Sequence, residues 1–179
     1  MNLEEKTLTR NYQFKGRIIN LRTDTAELPN GAVTGREVVE HPGGVCVAPL
    51  TDQGELLFVR QFRYPYGEVL LELPAGKRDR SGEEPLECGK RELLEETGAT
   101  ATAYQSLGRV YPTPGYCDEV IYLYLAEGLS FGTAQPDEGE FLEVERIPLE
   151  RAVEMVMNGE ITDAKTQIAV LKIGQMRQK

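Results

Sequence analysis

The chain has 179 residues, 40% of them apolar, which is enough to bury one sizeable core. Its 20 basic and 29 acidic residues leave a net charge of −9, and no basic cluster stands out, so we expect no nucleic-acid partner. No apolar run approaches the roughly 18 residues of a membrane helix, and the first residues lack the apolar core of a signal peptide. We therefore expect a cytoplasmic protein with no membrane partner.

The few cysteines and the single histidine argue against several kinds of structural and catalytic site. Cys46, Cys88 and Cys117 are odd in number and widely spaced, which argues against a disulfide framework or a zinc knuckle and fits a reducing compartment. His41 is the single histidine, so any mechanism that needs two histidines is excluded. Because it precedes Pro42 in a turn, we interpret His41 as structural. Any catalysis must therefore rest on carboxylates.

The first forty residues predict a β segment. Asn30-Gly31 is typical of a hairpin turn, and residues 33–40 follow it as a strand. Residues 42–44, Pro-Gly-Gly, then break the chain. We therefore predict an N-terminal β segment over residues 1–42, which is too thin to bury a core alone, and a main α/β domain over residues 43–179.

The remaining chain alternates between predicted strands and helices. Apolar runs predict strands over residues 45–50, 56–62, 68–73, 103–110, 120–126 and 141–147. Three helices are predicted over residues 85–98, 148–158 and 163–176. Pro85 suits the first turn of its helix, Gly98 suits the residue after its end, and Asp163 can cap the last helix. Irregular connections favour an α/β sandwich around a mixed sheet over a doubly wound parallel sheet.

A run of glutamates marks the first predicted helix, with six between residues 83 and 96. Glu92 and Glu96 are four residues apart, so they project together beside the buried stripe of the helix and repel each other. A divalent cation such as Mg²⁺ resolves that repulsion, and a backbone carbonyl from the turn at residues 74–76 can join it. From these residues alone, a solvated acidic helix face explains the pattern equally well.

The same segment resembles the box of the Nudix hydrolases. That box reads Gly, five residues, Glu, seven residues, Arg-Glu, an apolar residue, any, Glu-Glu, any, Gly and an apolar residue. The chain matches it from Glu83 through Arg91 to Ala99. Gly76 departs, because six residues rather than five separate it from Glu83. A one-residue insertion in the loop of residues 77–82 explains the departure.

The resemblance implies a Nudix-type α/β/α sandwich around a mixed sheet, and Mg²⁺, or in its place Mn²⁺, as the cofactor. It assigns metal ligation to Glu92, Glu96 and the Ala75 carbonyl. Glu95 is implied as an additional or water-mediated ligand near the metals, with a catalytic contribution. Structural positions of the box are Gly76, Glu83, Arg91 and Gly98, with Arg91 and Glu83 forming an orienting ion pair.

Motifs outside the box resemble the ADP-ribose pyrophosphatase branch. They comprise residues 36–44, 59–64, 72–76, the substrate-loop-like 111–119 with Pro114, and the base-loop-like 137–141. This branch implies metal-dependent hydrolysis of ADP-ribose to AMP and ribose 5-phosphate. It also implies a homodimer in which the N-terminal β segment helps to build the partner's adenine site.

Candidate substrate and base residues follow from this branch. A diphosphate needs cationic partners beyond the metal, and arginines supply bidentate contacts. The candidates for substrate binding are Arg36, Arg60, Arg63, Glu72 and Glu119, although each arginine also suits an exposed surface position. Glu140, slightly ahead of Glu138, is the candidate general base, because a base must reach a water beside the metals and need not lie on the helix.

Two alternatives stay open. The first is a pyrophosphatase that prefers another nucleotide sugar, such as ADP-glucose, UDP-glucose or GDP-mannose, since recognition of the nucleobase is not legible in the sequence. The second is a Nudix-fold module that senses ADP-ribose without cleaving it. Such a module is expected to lose its metal glutamates, whereas Glu92, Glu95 and Glu96 are all present.

Overall fold

The computed structural model describes residues 2–78, 82–136 and 139–178. The chain divides into two compact units. The first comprises Met1–Gly43 and Tyr111–Val120, and the second comprises Gly44–Val110 and Ile121–Lys179. Residues 111–120 thus belong with the N-terminal segment and not, as predicted from the sequence, with the main domain.

The first unit is built on a three-stranded antiparallel sheet in the order β1-β2-β3. Its strands are β1 (Lys6–Lys15), β2 (Asn20–Glu27) and β3 (Val33–Glu40). The predicted turn before β3 is present, with Gly31 at φ 83°, a conformation that glycine adopts freely. The segment of residues 111–120 lies along β3, since the Val39 N–H donates to the Tyr116 carbonyl over 2.7 Å.

The second unit contains a mixed sheet and a smaller antiparallel sheet. The mixed sheet has the order β7-β4-β9-β8, in which β4 and β9 are parallel and the other pairs antiparallel. The smaller sheet has the order β10-β5-β6. The strands are β4 (Gly44–Pro49), β5 (Glu55–Arg63), β6 (Glu68–Glu72), β7 (Ala75–Lys77), β8 (Ala99–Val110), β9 (Ile121–Phe131) and β10 (Leu142–Pro148).

The described part of the second unit forms three helices, α1 (Pro85–Thr97), α2 (Leu149–Met157) and α3 (Ala164–Arg177). Their predicted ends are confirmed. Gly98 follows α1 in the left-handed conformation at φ 70°, and its N–H bonds the Leu94 carbonyl over 2.9 Å. The Asp163 side chain caps α3 by accepting the Thr166 N–H over 3.0 Å.

Alternation along β4 explains how the helices cover the mixed sheet. Val45 and Val47 pack into a cluster with Cys88 and Leu93 of α1. Cys46, on the opposite face, joins a larger cluster that includes residues of α2, α3 and the smaller sheet. The predicted α/β/α sandwich is therefore confirmed. Within the described residues, no helix is long and apolar enough to cross a membrane.

Candidate active site

Helix α1 presents two glutamates to strand β7. Glu92 and Glu96 are one helical turn apart, so their side chains project together. Glu96 is 4% exposed, and the side chain of Glu92 is 12% exposed. The Ala75 N–H donates a hydrogen bond to Oε2 of Glu96 over 3.1 Å. The resemblance-based metal ligands are therefore brought together in one place.

Gly76 gives the Glu92 carboxylate room to lie against β7. A Cβ built at Gly76 would sit 1.9 Å from Cδ of Glu92 and 2.0 Å from its Oε1. Real Cβ atoms essentially never come this close to a neighbour, so any side chain at position 76 would expel the carboxylate. This contact gives a physical reason for a glycine at the start of the box.

The geometry also favours the predicted role of the Ala75 carbonyl. Ala75 lies on the edge strand β7 and pairs with Cys46 of β4. The carbonyl of the preceding Pro74 accepts the N–H of Val47, also on β4, over 2.8 Å. Successive strand residues direct their backbone groups to alternate sides, so both backbone groups of Ala75 face away from β4. Its N–H meets Glu96, and its carbonyl therefore faces the same edge as the glutamates.

Electrostatics make this pair of carboxylates costly without a cation. The pKa of Glu96 is raised to about 8, mainly by burial and in the same direction by the charge of Glu92. Burial likewise raises the pKa of Glu92 to about 7, against an opposing effect of Arg91 and with a contribution from Glu95. Two like charges held in a poorly solvated site are the arrangement that a divalent cation neutralises.

The donor atoms fit a hard cation such as Mg²⁺. In the part of the chain that the structure describes, no three His, Cys, Asp or Glu side chains form a complete metal site by themselves. Glu92, Glu96 and the Ala75 carbonyl offer oxygen atoms only. Mg²⁺ is typically held by one or two carboxylates and keeps waters and substrate phosphates in its other positions. The residues therefore fit an ion that also binds substrate.

Arg91 joins three neighbouring glutamates in a network of ion pairs. Its Nη1 lies 2.8 Å from Oε1 of Glu92 and 2.7 Å from Oε2 of Glu95. Its Nε lies 3.2 Å from Oε1 of Glu83. The ion pair of Arg91 with Glu83 that the resemblance implies is thus present, and its orienting role remains a prediction. Glu95 contacts Arg91 in this arrangement, so its role as a ligand also remains a prediction.

The loop that carries Glu140 is tied to the end of α1. The Gly132 N–H donates to the Gly98 carbonyl over 2.7 Å, and the Gln135 N–H donates to the Glu95 carbonyl over 2.9 Å. Glu140 is exposed, yet its charge contributes to the raised pKa values of Glu92 and Glu96. Its position is thus compatible with a general base, whereas Glu138 lies outside the described residues.

The two candidate arginines of β5 point to opposite faces, because they are three positions apart. Arg60 pairs with Glu145 of the neighbouring strand, with 2.8 Å between Nη2 and Oε2. Arg63 forms a bidentate pair with Glu72, with Nε 2.6 Å from Oε1 and Nη2 2.7 Å from Oε2. Glu72 is 1% exposed, so its predicted contact with ribose hydroxyls would require another arrangement of these side chains.

Lys165 is a charged residue near this pair that was not predicted from the sequence. Its Nζ bonds Oε2 of Glu72 and lies 2.9 Å from Oδ1 of Asp163. The sequence carried one signal for it, since Asp163 was expected to cap α3 and Lys165 follows in the first turn. Nothing in the sequence linked this turn to Glu72 on β6.

The two remaining candidates lie in the first unit. Arg36 forms a bidentate pair with Glu5, with 2.7 Å between Nη2 and Oε1. It also lines a pocket of about 540 Å³. The other lining residues are Thr23, Asp24, Gly35, Glu37, Gly115 and Tyr116. Glu119 lies 3.3 Å from Nδ1 of His41, and the same nitrogen accepts the Gly43 N–H over 3.1 Å. His41 therefore has a structural position in its turn.

Fold and site together define a protein with a buried pair of carboxylates on a helix beside a mixed sheet. A family model described as the NUDIX domain matches residues 40–167. The chain belongs to the Nudix family.

Known proteins are similar in sequence to this chain over most of its length. An ADP-ribose pyrophosphatase of Bacillus subtilis (strain 168) is 43% identical over 171 residues, which cover 94% of this chain and 92% of that protein. A methanol dehydrogenase activator of Bacillus methanolicus is 40% identical over 169 residues, or 93% of this chain and 91% of that protein. A solved structure, the crystal structure of an ADP compounds hydrolase, matches with a TM-score of 0.86 at 22% identity, covering 99% of this chain and 97% of that one. This last likeness shows the fold alone.

Proposed function

We propose that the protein hydrolyses the diphosphate bond of ADP-ribose, with a divalent cation, to AMP and ribose 5-phosphate. The observation that carries the proposal is the buried pair of Glu92 and Glu96 held against Ala75 and Gly76. This pair makes a sensing module without catalysis a poor explanation. The ADP-ribose substrate is supported by the motifs outside the box and by the relative from Bacillus subtilis.

The ion would be held by Glu92, Glu96 and the Ala75 carbonyl, with Mg²⁺ proposed ahead of Mn²⁺. When bound, such an ion polarises phosphoryl oxygens, neutralises developing charge and lowers the pKa of an attacking water. Arg91 orients Glu92 and Glu95 through its charge-assisted hydrogen bonds.

Other side chains of the second unit handle the substrate and the proton. Glu140 accepts a proton from the water as the water oxygen forms its bond to phosphorus and the bridging P–O bond breaks. The guanidinium group of Arg63 binds the diphosphate, because the charge of the diphosphate needs cationic partners in addition to the divalent cation. Four further candidates for substrate binding have protein partners in this structure, so each would have to leave its partner in order to contact the substrate. They are Arg36, Arg60, Glu72 and Glu119.

We also propose a homodimer in the cytoplasm. Strand β1 lies at the edge of its sheet and is exposed along all ten residues, including Leu8, Tyr12 and Phe14. Long exposed edge strands are ready to pair with another chain, and a second copy would cover this one. The three cysteines are free thiols, which suits a reducing compartment. Analytical ultracentrifugation would test the dimer, and a monomer at micromolar concentration would refute it.

The direct test is an activity panel with Mg²⁺. Purified protein is incubated with ADP-ribose, ADP-glucose, UDP-glucose and GDP-mannose, and the products are separated by chromatography. We expect AMP release fastest from ADP-ribose, none with EDTA, and almost none from the Glu96→Gln variant. Faster cleavage of another nucleotide sugar would keep the hydrolytic mechanism and overturn the substrate. Tight binding of ADP-ribose with no cleavage would overturn the enzyme proposal.

A further inference from the structure

A buried group of four charges lies beside the proposed catalytic glutamates. Glu72, which is 1% exposed, accepts hydrogen bonds from Arg63 and Lys165, and Lys165 also pairs with Asp163. Two cations and two anions thus balance formally. Burial acts to raise the pKa of Glu72, but Arg63 and Lys165 more than offset this and leave it below its ordinary value. Glu72 is therefore a stable carboxylate bridge between two cations.

This bridge adjoins the turn that presents Ala75 to the glutamates. Glu72 ends β6, and the next residue, Leu73, donates its N–H to Oγ1 of Thr166 over 2.9 Å. Thr166 follows Lys165 directly, so the first turn of α3 forms hydrogen bonds with two successive residues, Glu72 and Leu73. Leu73, the second of these residues, is two positions before Ala75, whose N–H donates a hydrogen bond to Glu96.

Arg63 is the member of the group that can reach the substrate. Its side chain is 35% exposed, compared with 11% for Lys165. Its positive charge acts on Glu96, where it opposes the rise in the pKa of that carboxyl. Glu72 takes up Nε and Nη2 of Arg63, and among the described residues Nη1 has no hydrogen-bond partner of its own. That nitrogen is available to an incoming anion.

We propose that Lys165 is a positioning residue that, through Glu72, holds the guanidinium of Arg63 beside Glu96 for the diphosphate of the substrate. The proposal rests on the proposed function, since it takes a diphosphate as the ligand. Lys165 shares Oε2 of Glu72 with Nη2 of Arg63, so it fixes the plane of the carboxylate and with it the plane of the guanidinium. Without Lys165, Arg63 alone must neutralise a buried anion, and nothing on α3 fixes the plane of the carboxylate to which Arg63 is paired.

The test compares Lys165→Met with Lys165→Arg, and Lys172→Met serves as a matched control. Lys172 is also on α3, but its Nζ bonds the Leu107 carbonyl over 2.5 Å, and it contacts none of the four charges. Steady-state kinetics with ADP-ribose and calorimetric binding of ADP are measured for each variant with Mg²⁺, below its melting temperature. Partners that orient the ligands of a metal typically matter by about 10- to 100-fold, and a partner that orients Arg63 is expected to act at the lower end of this range. We therefore expect K165M to raise KM and the Kd of ADP by about tenfold, with a smaller fall in kcat.

The variants K165R and K172M should stay close to wild type. The double variant E72Q/K165M separates positioning from general damage, and it keeps the formal charges of the group balanced. If Lys165 acts through Glu72, this variant is no worse than E72Q alone. Effects that multiply in the double variant, or an unchanged Kd for ADP in K165M, would overturn the proposal. So would a K165R that is as weak as K165M.

Assays of the wild-type protein distinguish a failure of the proposed function from a failure of the proposed role of Lys165. If it cleaves ADP-ribose, the proposed function stands whatever Lys165 does. If it cleaves another nucleotide sugar, the same comparison applies to that substrate, which has the same diphosphate. If it cleaves none of them, the binding of ADP still decides whether Lys165 positions Arg63.

Discussion

Replacing Gly76 with alanine should move Glu92, a proposed metal ligand, without unfolding the protein. The new Cβ would lie 1.9 Å from Cδ of Glu92, whereas ordinary contacts begin at 3.4 Å, so the carboxyl group must retreat by about 1.5 Å. The atoms in conflict are the far end of a flexible side chain, which can rotate. Stability should therefore change little, while Glu92 leaves the edge that it shares with Glu96 and Ala75.

A displacement of about 1 Å in a catalytic arrangement can cost about 100-fold in rate. We expect G76A to lose that much in kcat/KM for ADP-ribose and to need more Mg²⁺ for half-maximal rate. A titration of initial rate against Mg²⁺ concentration measures both quantities. Gly132→Ala is the control, because its Cβ would meet one atom, the Gly98 carbonyl oxygen, at an ordinary 3.6 Å. A G76A variant with wild-type rate and Mg²⁺ dependence would refute the assignment of Glu92 to the ion.

Three further predictions follow from the charges and backbone of the site. Glu96→Gln should abolish most activity and yet stabilise the metal-free protein above pH 8. Folding raises the pKa of Glu96 from 4.5 to about 8, so stability present at low pH is lost as the pH rises through this range. Glutamine removes that loss, at most about 5 kcal/mol, and urea unfolding in EDTA at pH 5 and pH 8.5 measures it. An equal stability of variant and wild type at both pH values would contradict this. Glu140→Gln should lower kcat by about 100-fold or more with an unchanged Mg²⁺ requirement, and a rate near that of wild type would exclude Glu140 as the base. Gly98→Ala should destabilise the fold by about 1–3 kcal/mol in urea unfolding, since position 98 has φ 70° and a Cβ there would lie 2.6 Å from the Gly132 carbonyl oxygen. An unchanged urea midpoint would show that the end of α1 adapts.

Elements with a clear periodicity or strong end signals were predictable from the sequence. Helix α1 begins at Pro85 and is followed by Gly98 as expected, because proline and glycine restrict the backbone locally. Strand β1 was not predicted as a separate element, because Arg10 interrupts the alternation of Leu8, Tyr12 and Phe14 with polar residues. Strand β7 was expected as a turn, since its three residues are too few to show any period.

The glutamates of the site were predictable, but their surroundings were not. The spacing of Glu92 and Glu96 places both on one side of a helix in any context. Lys165 reaches Glu72 from 93 positions away, and only the tertiary fold brings the first turn of α3 to the end of β6. Local pattern carries no information about such a contact. The placement of residues 111–120 beside β3 is long-range in the same sense.

The one-residue insertion after Gly76 shows which parts of the box must keep their spacing. Gly76 is fixed by pairing with Val45 in the sheet, and Glu92 meets it from α1. Glu83 is fixed separately, by its pair with Arg91 and by the bond from Nη2 of Arg78 to its carbonyl over 3.0 Å. The extra residue falls between these two anchored points, so neither contact depends on the exact number of residues that join them. The spacing within α1 has no such freedom, because one residue more would turn Glu96 by about 100° away from Glu92.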